Sequence, residues 1–408
     1  MTTTTFARGC AVFSAIAQAP ADPILGLTEA FNADINPHKI NLGVGVYQDD
    51  TGKVPVLKAV RQAEALLPAR EETKSYLPID GLAAYNKQVQ ALLFGTDSAV
   101  FAEKRAVTIQ GLGGTGALKV GSDFLRRFFP DSALYISDPS WENHRALFEA
   151  AGFQVKTYPY YDAATHNVDF DAMTTTLRKL PAHSIVVLHA CCHNPTGVDL
   201  SPAQWDTLVT LFRSMDLIPF LDFAYQGFGA GLEADAYAVR AFAQAGISCL
   251  IASSFSKSFS LYRERVGALT LLTAEEAEAK RVLSQLKRII RTNYSSPAAH
   301  GANVVATILA DQTLRALWET ELTVMRERIR SMRSLFVQGL KERAVAQDFG
   351  FIAMQTGMFS YSGLTREQVQ RLRSEVSLYI VDSGRICVAA MNEKNLPVIC
   401  DAIAKVLK

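Results

Sequence analysis

The sequence predicts an α/β fold: a three-layer large domain around a mostly parallel sheet, with a smaller α+β domain built from both chain ends. Two observations carry the prediction. Short β-rich runs without polar alternation recur between Ala106 and Leu272, and helical spacing or helix caps fill the intervals. Beyond residue 272 the pattern changes to long helices and then to short strands mixed with helices.

The runs are AVTI (106–109), ALYI (133–136), FQVKTY (153–158), SIVVLH (184–189), IPFLD (218–222), SCLIA (248–252) and GALTLL (267–272). Between the first two, Ala117, Val120, Gly121, Phe124, Leu125 and Phe128 keep a helical period, and Ser201-Pro202 reads as an N-cap followed by an N1 proline. Residues 274–291, 297–310 and 313 to about 344 read as long helices, the third with repeated Arg and Glu on its polar face. GMFSYS, SLYIV and RICVA then read as strands, with helices starting at Thr365 and Asn395. The expected division is an N-terminal arm over 1–14, a small domain from 15–53 and 326–408, and a large domain over 54–325.

The 408 residues hold 41 Lys plus Arg against 40 Asp plus Glu, which speaks against a nucleic-acid or polyanion binder. Hydrophobic residues make up 49%, enough for a large core. Six cysteines in a long chain, none in a CxxC pair, fit reduced thiols in a cytoplasmic protein, and no apolar run reaches the roughly 18 residues of a membrane helix. Residues 8–20 are too weakly apolar for a signal peptide and read as an arm packing on a neighbour.

The chemistry concentrates at strand ends. Gly111-Leu112-Gly113-Gly114-Thr115-Gly116 satisfies GxGxxG between a strand and a helix, and Asp138 ends the next strand. The physics licenses a phosphate at a helix N-terminus; a dinucleotide, a single phosphate and a structural turn all remain open on this motif alone. IPFLD ends in Asp222, with Tyr225 just beyond. SCLIA leads into Ser253-Ser254-Phe255-Ser256-Lys257-Ser258, followed by Arg263, Arg265 and Gly267. A lysine among hydroxyls and cations offers an amine of lowered pKa beside a phosphate site. The singly read alternatives, a loop cap for Asp222 and a surface charge for Lys257, lose weight when both sit at adjacent strand ends. His189-Ala190-Cys191-Cys192-His193-Asn194-Pro195-Thr196-Gly197 lacks metal-ligand spacing, so no metal is expected; its NPTG is a turn that presents the Asn194 amide.

The glycine turn, PSWENH (139–144), CCHNPTG, DFAYQGF, SFSKSFSLYRERVG and the late GRICVA together resemble the class I aminotransferases of fold type I, most closely the aspartate and aromatic amino acid enzymes. The resemblance runs in order through nearly the whole chain. It implies pyridoxal 5′-phosphate bound through Lys257, with Asp222 on the pyridine nitrogen, Asn194 and Tyr225 on the ring hydroxyl, Trp141 stacked on the ring and His144 behind Asp222. Gly113, Gly114, Thr115, Ser254, Ser256 and Arg265 would surround the phosphate, joined by Tyr76 of the neighbouring subunit in a homodimer. Arg385 would clamp the substrate α-carboxylate, with Gly45, Trp141 and Asn194 around the substrate and Arg291 reaching a side-chain carboxylate across the dimer. Gln48, Ser75 and Ser296 depart from the usual aspartate-enzyme residues (Lys, Asn, Asn) toward the aromatic members. The resulting expectation is a dual enzyme for tyrosine, phenylalanine and aspartate with 2-oxoglutarate. A strict aspartate enzyme is the alternative; a dinucleotide-dependent dehydrogenase and a non-catalytic cofactor-binding regulator are further ones.

Overall fold

Short runs of branched and aromatic residues make fully buried strands only where helices cover both faces of the sheet, and that is the arrangement in the computed structural model, which describes residues 13–19, 24–69 and 73–408. The strands, in chain order, are β1 (Ile40–Asn41), β2 (Ala106–Leu112), β3 (Leu134–Asp138), β4 (Val155–Pro159), β5 (Tyr161–Asp162), β6 (Asn167–Val168), β7 (Ile185–His189), β8 (Ile218–Phe223), β9 (Cys249–Ser254), β10 (Val266–Leu272), β11 (Phe359–Tyr361), β12 (Leu378–Tyr379) and β13 (Arg385–Cys387). Seven of them form one sheet in the order β2-β10-β9-β8-β7-β3-β4. β10 runs antiparallel to both its neighbours, and the β9-to-β4 neighbours pair in parallel.

Successive side chains of these strands feed two different cores. Val186, Leu188 and Leu221 pack into one hydrophobic cluster, while Ile185, Val187 and Phe220 pack into the other on the opposite face. Burying each such side chain stabilises the fold by about 1.5–3 kcal/mol. The Gly113–Phe128 helix lies against β10 and β9, and the Pro202–Met215 helix opens with the expected cap, a Ser201–Gln204 capping box with proline at N1.

Several boundaries differ from the sequence reading, two of them for clear local reasons. The fourth strand begins at Val155 because Gly152 (φ +94°) closes the preceding helix and the Phe153 N–H donates back to the Phe148 carbonyl. The helix expected from 297 begins at His300, after Ser295 takes a left-handed turn (φ +68°).

The C-terminal region returns to the N-terminal one. β1 pairs in parallel with β12 (Ile40 with Leu378), and the Cys387 N–H donates to the Leu42 carbonyl. A 31-residue helix, Gln312–Glu342, capped by Asp311, packs on both the Lys58–Leu66 and the Leu396–Val406 helices. Its buried stripe runs Leu314, Trp318, Leu322, Met325, Ile329, Met332, Phe336 and Leu340, and includes one arginine, Arg333. No helix among the described residues is long and apolar enough to cross a membrane. The arm assigned to residues 1–14 falls mostly outside the described residues.

Candidate active site

Parallel strands present their carboxyl ends together, and here three neighbours end in functional side chains. In the pairing register His189 of β7 lies beside Asp222 of β8, and Asp222 beside Ala252 of β9, which runs on to Ser254. A cavity of about 510 Å³ opens over these ends, walled by Gly45, Gly114, Thr115, Trp141, Asn194, Asp222, Tyr225, Ser254, Ser256, Lys257 and Arg265. Eleven separately expected residues therefore share one cavity.

Asp222 is buried and accepts a hydrogen bond from His144 Nε2 at 2.8 Å, while His144 Nδ1 lies 2.9 Å from Ser140 Oγ. Burial pushes the Asp222 carboxyl up, but the His144 hydrogen bond, helped by the nearby Lys257, outweighs it, and the carboxyl stays below its usual range. An anion is thus held at the cavity floor. Trp141 forms its side wall and meets His144 edge-on at 5.3 Å.

Lys257 Nζ sits 4.7 Å from the centre of the Tyr225 ring. Burial lowers its pKa to about 8; Asp222 opposes the shift and Arg265 adds to it. Burial pushes the Tyr225 phenol well up, with Asp222 reinforcing and Arg385 opposing, so the hydroxyl remains a donor.

The glycine segment resolves differently from a dinucleotide fingerprint. Gly111 and Leu112 still belong to β2, and the helix starts directly at Gly113, which has φ +70° and donates to the Arg265 carbonyl at 2.8 Å. A Cβ on Gly113 would lie 2.6 Å from Arg265 Nη2, and one on Gly267 only 2.4 Å from the Gly113 carbonyl carbon. The guanidinium therefore lies over bare backbone at a helix N-terminus, in a wall shared with Ser254 and Thr115, a cup for one phosphate. Asp138 ends β3, which four strands separate from β2 in the sheet, so it is not the ribose partner a dinucleotide site requires on the neighbouring strand. The dehydrogenase reading fails on that topology.

Arg385, on β13, is 1% exposed. Nη2 donates to the Gly43 carbonyl at 2.6 Å and Nη1 to Asn194 Oδ1 at 3.2 Å; its guanidinium carbon lies 4.4 Å from the Phe359 ring centre. Its Nε–H has no hydrogen-bond partner among the described residues, which leaves a donor for a carboxylate. Gly45 passes close enough that a Cβ there would strike the same Phe359 ring at 2.7 Å.

Of the other four expected residues, Gly113 bonds the Arg265 carbonyl and Arg385 bonds Asn194, so both back the cavity wall, whereas two do not reach it within the chain. Tyr76 is 94% exposed, and Arg291 is exposed with its guanidinium bonded to Ser295. The sequence reading missed two others. Tyr262 walls the cavity and its hydroxyl accepts from the Tyr47 N–H at 2.8 Å. His189 also lines it, without a hydrogen-bond partner on either ring nitrogen; burial, helped by His144 and opposed by Asp222, lowers its pKa to about 3 and keeps it neutral. Tyr262 lies inside the lysine motif and His189 ends a strand, so position flagged both, but only packing distinguishes them from core residues.

The residues present fit pyridoxal phosphate. The Gly113 cradle that a Cβ would fill and the cation over it suit a phosphate, Lys257 supplies the amine, and the anionic Asp222 faces it from the floor.

Residues 37–403 match the family model for aminotransferases of class I and II. The chain is 58% identical over 396 residues to an aspartate aminotransferase of Pseudomonas aeruginosa, covering 97% of this chain and 100% of that protein. It is 51% identical over 387 residues to an aromatic-amino-acid aminotransferase of Escherichia coli, covering 95% and 98%. The crystal structure of an aromatic-amino-acid aminotransferase from Burkholderia pseudomallei, covalently bound to pyridoxal phosphate, superimposes with a TM-score of 0.95 at 59% identity, covering 98% of this chain and 100% of that one. A seven-stranded sheet with these side chains at its carboxyl edge and this likeness over nearly the whole length have one reading: the chain belongs to the class I and II aminotransferase family and is a pyridoxal-phosphate-dependent aminotransferase of fold type I.

Proposed function

We propose that the enzyme moves the amino group of aspartate, tyrosine and phenylalanine to 2-oxoglutarate, one substrate leaving before the next binds. The observation that carries the reading is the shared cavity, with an amine of lowered pKa and a buried carboxylate, and behind its Asn194 an arginine, Arg385, whose Nε–H has no partner among the described residues. Bound pyridoxal phosphate supplies an electron sink that acidifies the substrate Cα–H bond. Lys257 Nζ, whose pKa of about 8 makes the free amine accessible just above neutrality, takes that proton and returns it. Asp222, kept anionic by His144, holds a positive charge at the cavity floor, and Asn194 and Tyr225 offer hydrogen bonds beside it. Gly113, Gly114, Thr115, Ser254, Ser256 and Arg265 hold the phosphate. Arg385 orients the α-carboxylate, with Gly45, Asn194 and Trp141 shaping the space around the substrate.

The dual substrate range is supported by relatives of both names and by apolar wall from Val44, Leu118 and Trp141 beside the polar groups. Arg291, bonded only to Ser295 among the described residues, is free to turn toward a side-chain carboxylate or away from a ring. A homodimer with shared sites accounts for Tyr76 and Arg291, both exposed and outside their own cavity. The β1–β12 pairing supports a small domain from 15–53 and 326–408 around a large one over 54–325. A cytoplasmic location suits the buried, unpaired Cys191, Cys192, Cys249, Cys387 and Cys400.

The test is steady-state kinetics with 2-oxoglutarate as acceptor. Values of kcat/KM for aspartate and phenylalanine within about tenfold of each other support the dual reading; an apolar pocket discriminates by roughly 10–200-fold per methylene, so a larger gap would indicate a strict enzyme.

A further inference from the structure

Arg333 occupies a position where a charged side chain is costly. It falls four residues after Ile329 and three before Phe336 on the buried stripe of the Gln312–Glu342 helix, and is 1% exposed. Among the described residues no carboxylate lies within ion-pairing distance of it, and burial lowers its pKa to about 10, leaving it charged. The guanidinium instead donates to the carbonyls of Ile352 (3.4 Å), Thr356 (3.0 Å), Gly357 (2.8 Å) and Phe359 (2.7 Å), and to Ser360 Oγ.

That one loop supports Arg385 from two sides. Phe359, whose carbonyl Arg333 holds, lies under the Arg385 guanidinium and against Gly45. Thr356, whose carbonyl Arg333 also holds, donates from N–H to the Gly197 carbonyl at 2.7 Å and from Oγ1 to Asp199 Oδ2 at 2.7 Å. Asp199 in turn accepts the N–H groups of Cys192 and His193, just before Asn194, whose Oδ1 binds Arg385. Gly197 has φ +71°, and a Cβ there would lie 2.5 Å from the Phe359 carbonyl oxygen, so the turn and the loop are in direct contact.

We propose that Arg333 is a positioning residue for substrate carboxylate recognition: by gathering the 352–360 loop it sets Phe359 and the Asn194 turn, and through them the aim of Arg385. The inference rests on the assignment of the α-carboxylate to Arg385 above.

The test uses the holoenzyme carrying Arg333→Lys or Ser360→Ala, with Arg385→Gln as control. Lysine keeps the charge but cannot span the fan of carbonyls. KM for aspartate and phenylalanine is expected to rise about ten- to hundredfold in Arg333→Lys, the scale of an ångström-sized misplacement. Ser360→Ala, which removes one acceptor and spares the guanidinium, should raise KM about threefold, the scale of one neutral hydrogen bond, and keeps the inference testable if the lysine variant fails to fold. The discriminating readout is single-turnover bleaching of the visible cofactor band by phenethylamine, which has no carboxylate; its rate and the band position should match the unsubstituted enzyme. Unchanged KM for the amino acids, or equal losses with amino acids and phenethylamine, overturns the proposal. If Arg385→Gln leaves KM unchanged, the carboxylate assignment fails and this inference with it; if Arg385→Gln raises KM while the other two variants do not, only the role of Arg333 fails.

Discussion

The two halves of the site are built in different ways. The cofactor half comes from short contiguous stretches at the ends of neighbouring strands: Gly113–Thr115 after β2, Asp222 and Tyr225 at the end of β8, Ser254 at the end of β9, and Ser256, Lys257 and Arg265 between β9 and β10. The carboxylate half is assembled from distant segments. Arg385 reaches a carbonyl 342 residues earlier and an amide 191 residues earlier, and Phe359 and Arg333 support it from two further elements. Sheet register places the first half, so damage there should appear in the chemical step. Loop packing places the second, so damage there should appear in substrate binding.

Lys257→Ala gives the largest expected effect, a loss of about 10⁴-fold in kcat, because it removes the group that moves the proton. Initial rates with aspartate and 2-oxoglutarate measure it; an effect confined to KM would erase the distinction between the halves. His144→Asn sharpens the same distinction more mildly. A hydrogen bond to a charged group contributes about 1.5–3 kcal/mol, so kcat should fall roughly ten- to hundredfold with KM nearly unchanged. The altered pH dependence of the cofactor band should accompany that fall, since Asp222 loses the partner that keeps its carboxyl low.

The smallest effect concerns stability. In the cofactor-stripped protein Lys257 has a folded pKa of about 8 against an ordinary 10.5. Between those values the unfolded chain binds the extra proton, so stability rises with pH through this window and the burial penalty is fully present below about 8. Urea midpoints at pH 7.5 and 9.5 should show the rise, and Lys257→Met should flatten it. A flat profile in the unsubstituted protein would mean that water in the cavity already solvates the amine.

Asp222 and Lys257 were legible because a strand end fixes where its last residue points, and neighbouring strand ends point together. The glycine segment was legible as a phosphate site but ambiguous in kind. Only the sheet order, with β2 at one edge beside the antiparallel β10 and four strands between it and Asp138, separated a single-phosphate cup from a dinucleotide turn. Arg333 was invisible for another reason: on a helix rich in Arg and Glu it reads as one more surface charge, although its spacing from Ile329 and Phe336 already placed it on the apolar stripe.

Sequence by itself determined which segments become strands, which become helices, and which of them carry an amine, a carboxylate and bare glycine backbone at their ends, because hydrophobic period and turn chemistry are local. Tertiary structure alone decided which ends meet. Aligning Arg385 with Asn194, Gly43 and Phe359 depends on strand order and on a buried guanidinium whose partners, Ser360 Oγ aside, are backbone carbonyls. Every residue carries such a carbonyl, so residue identity does not encode the match.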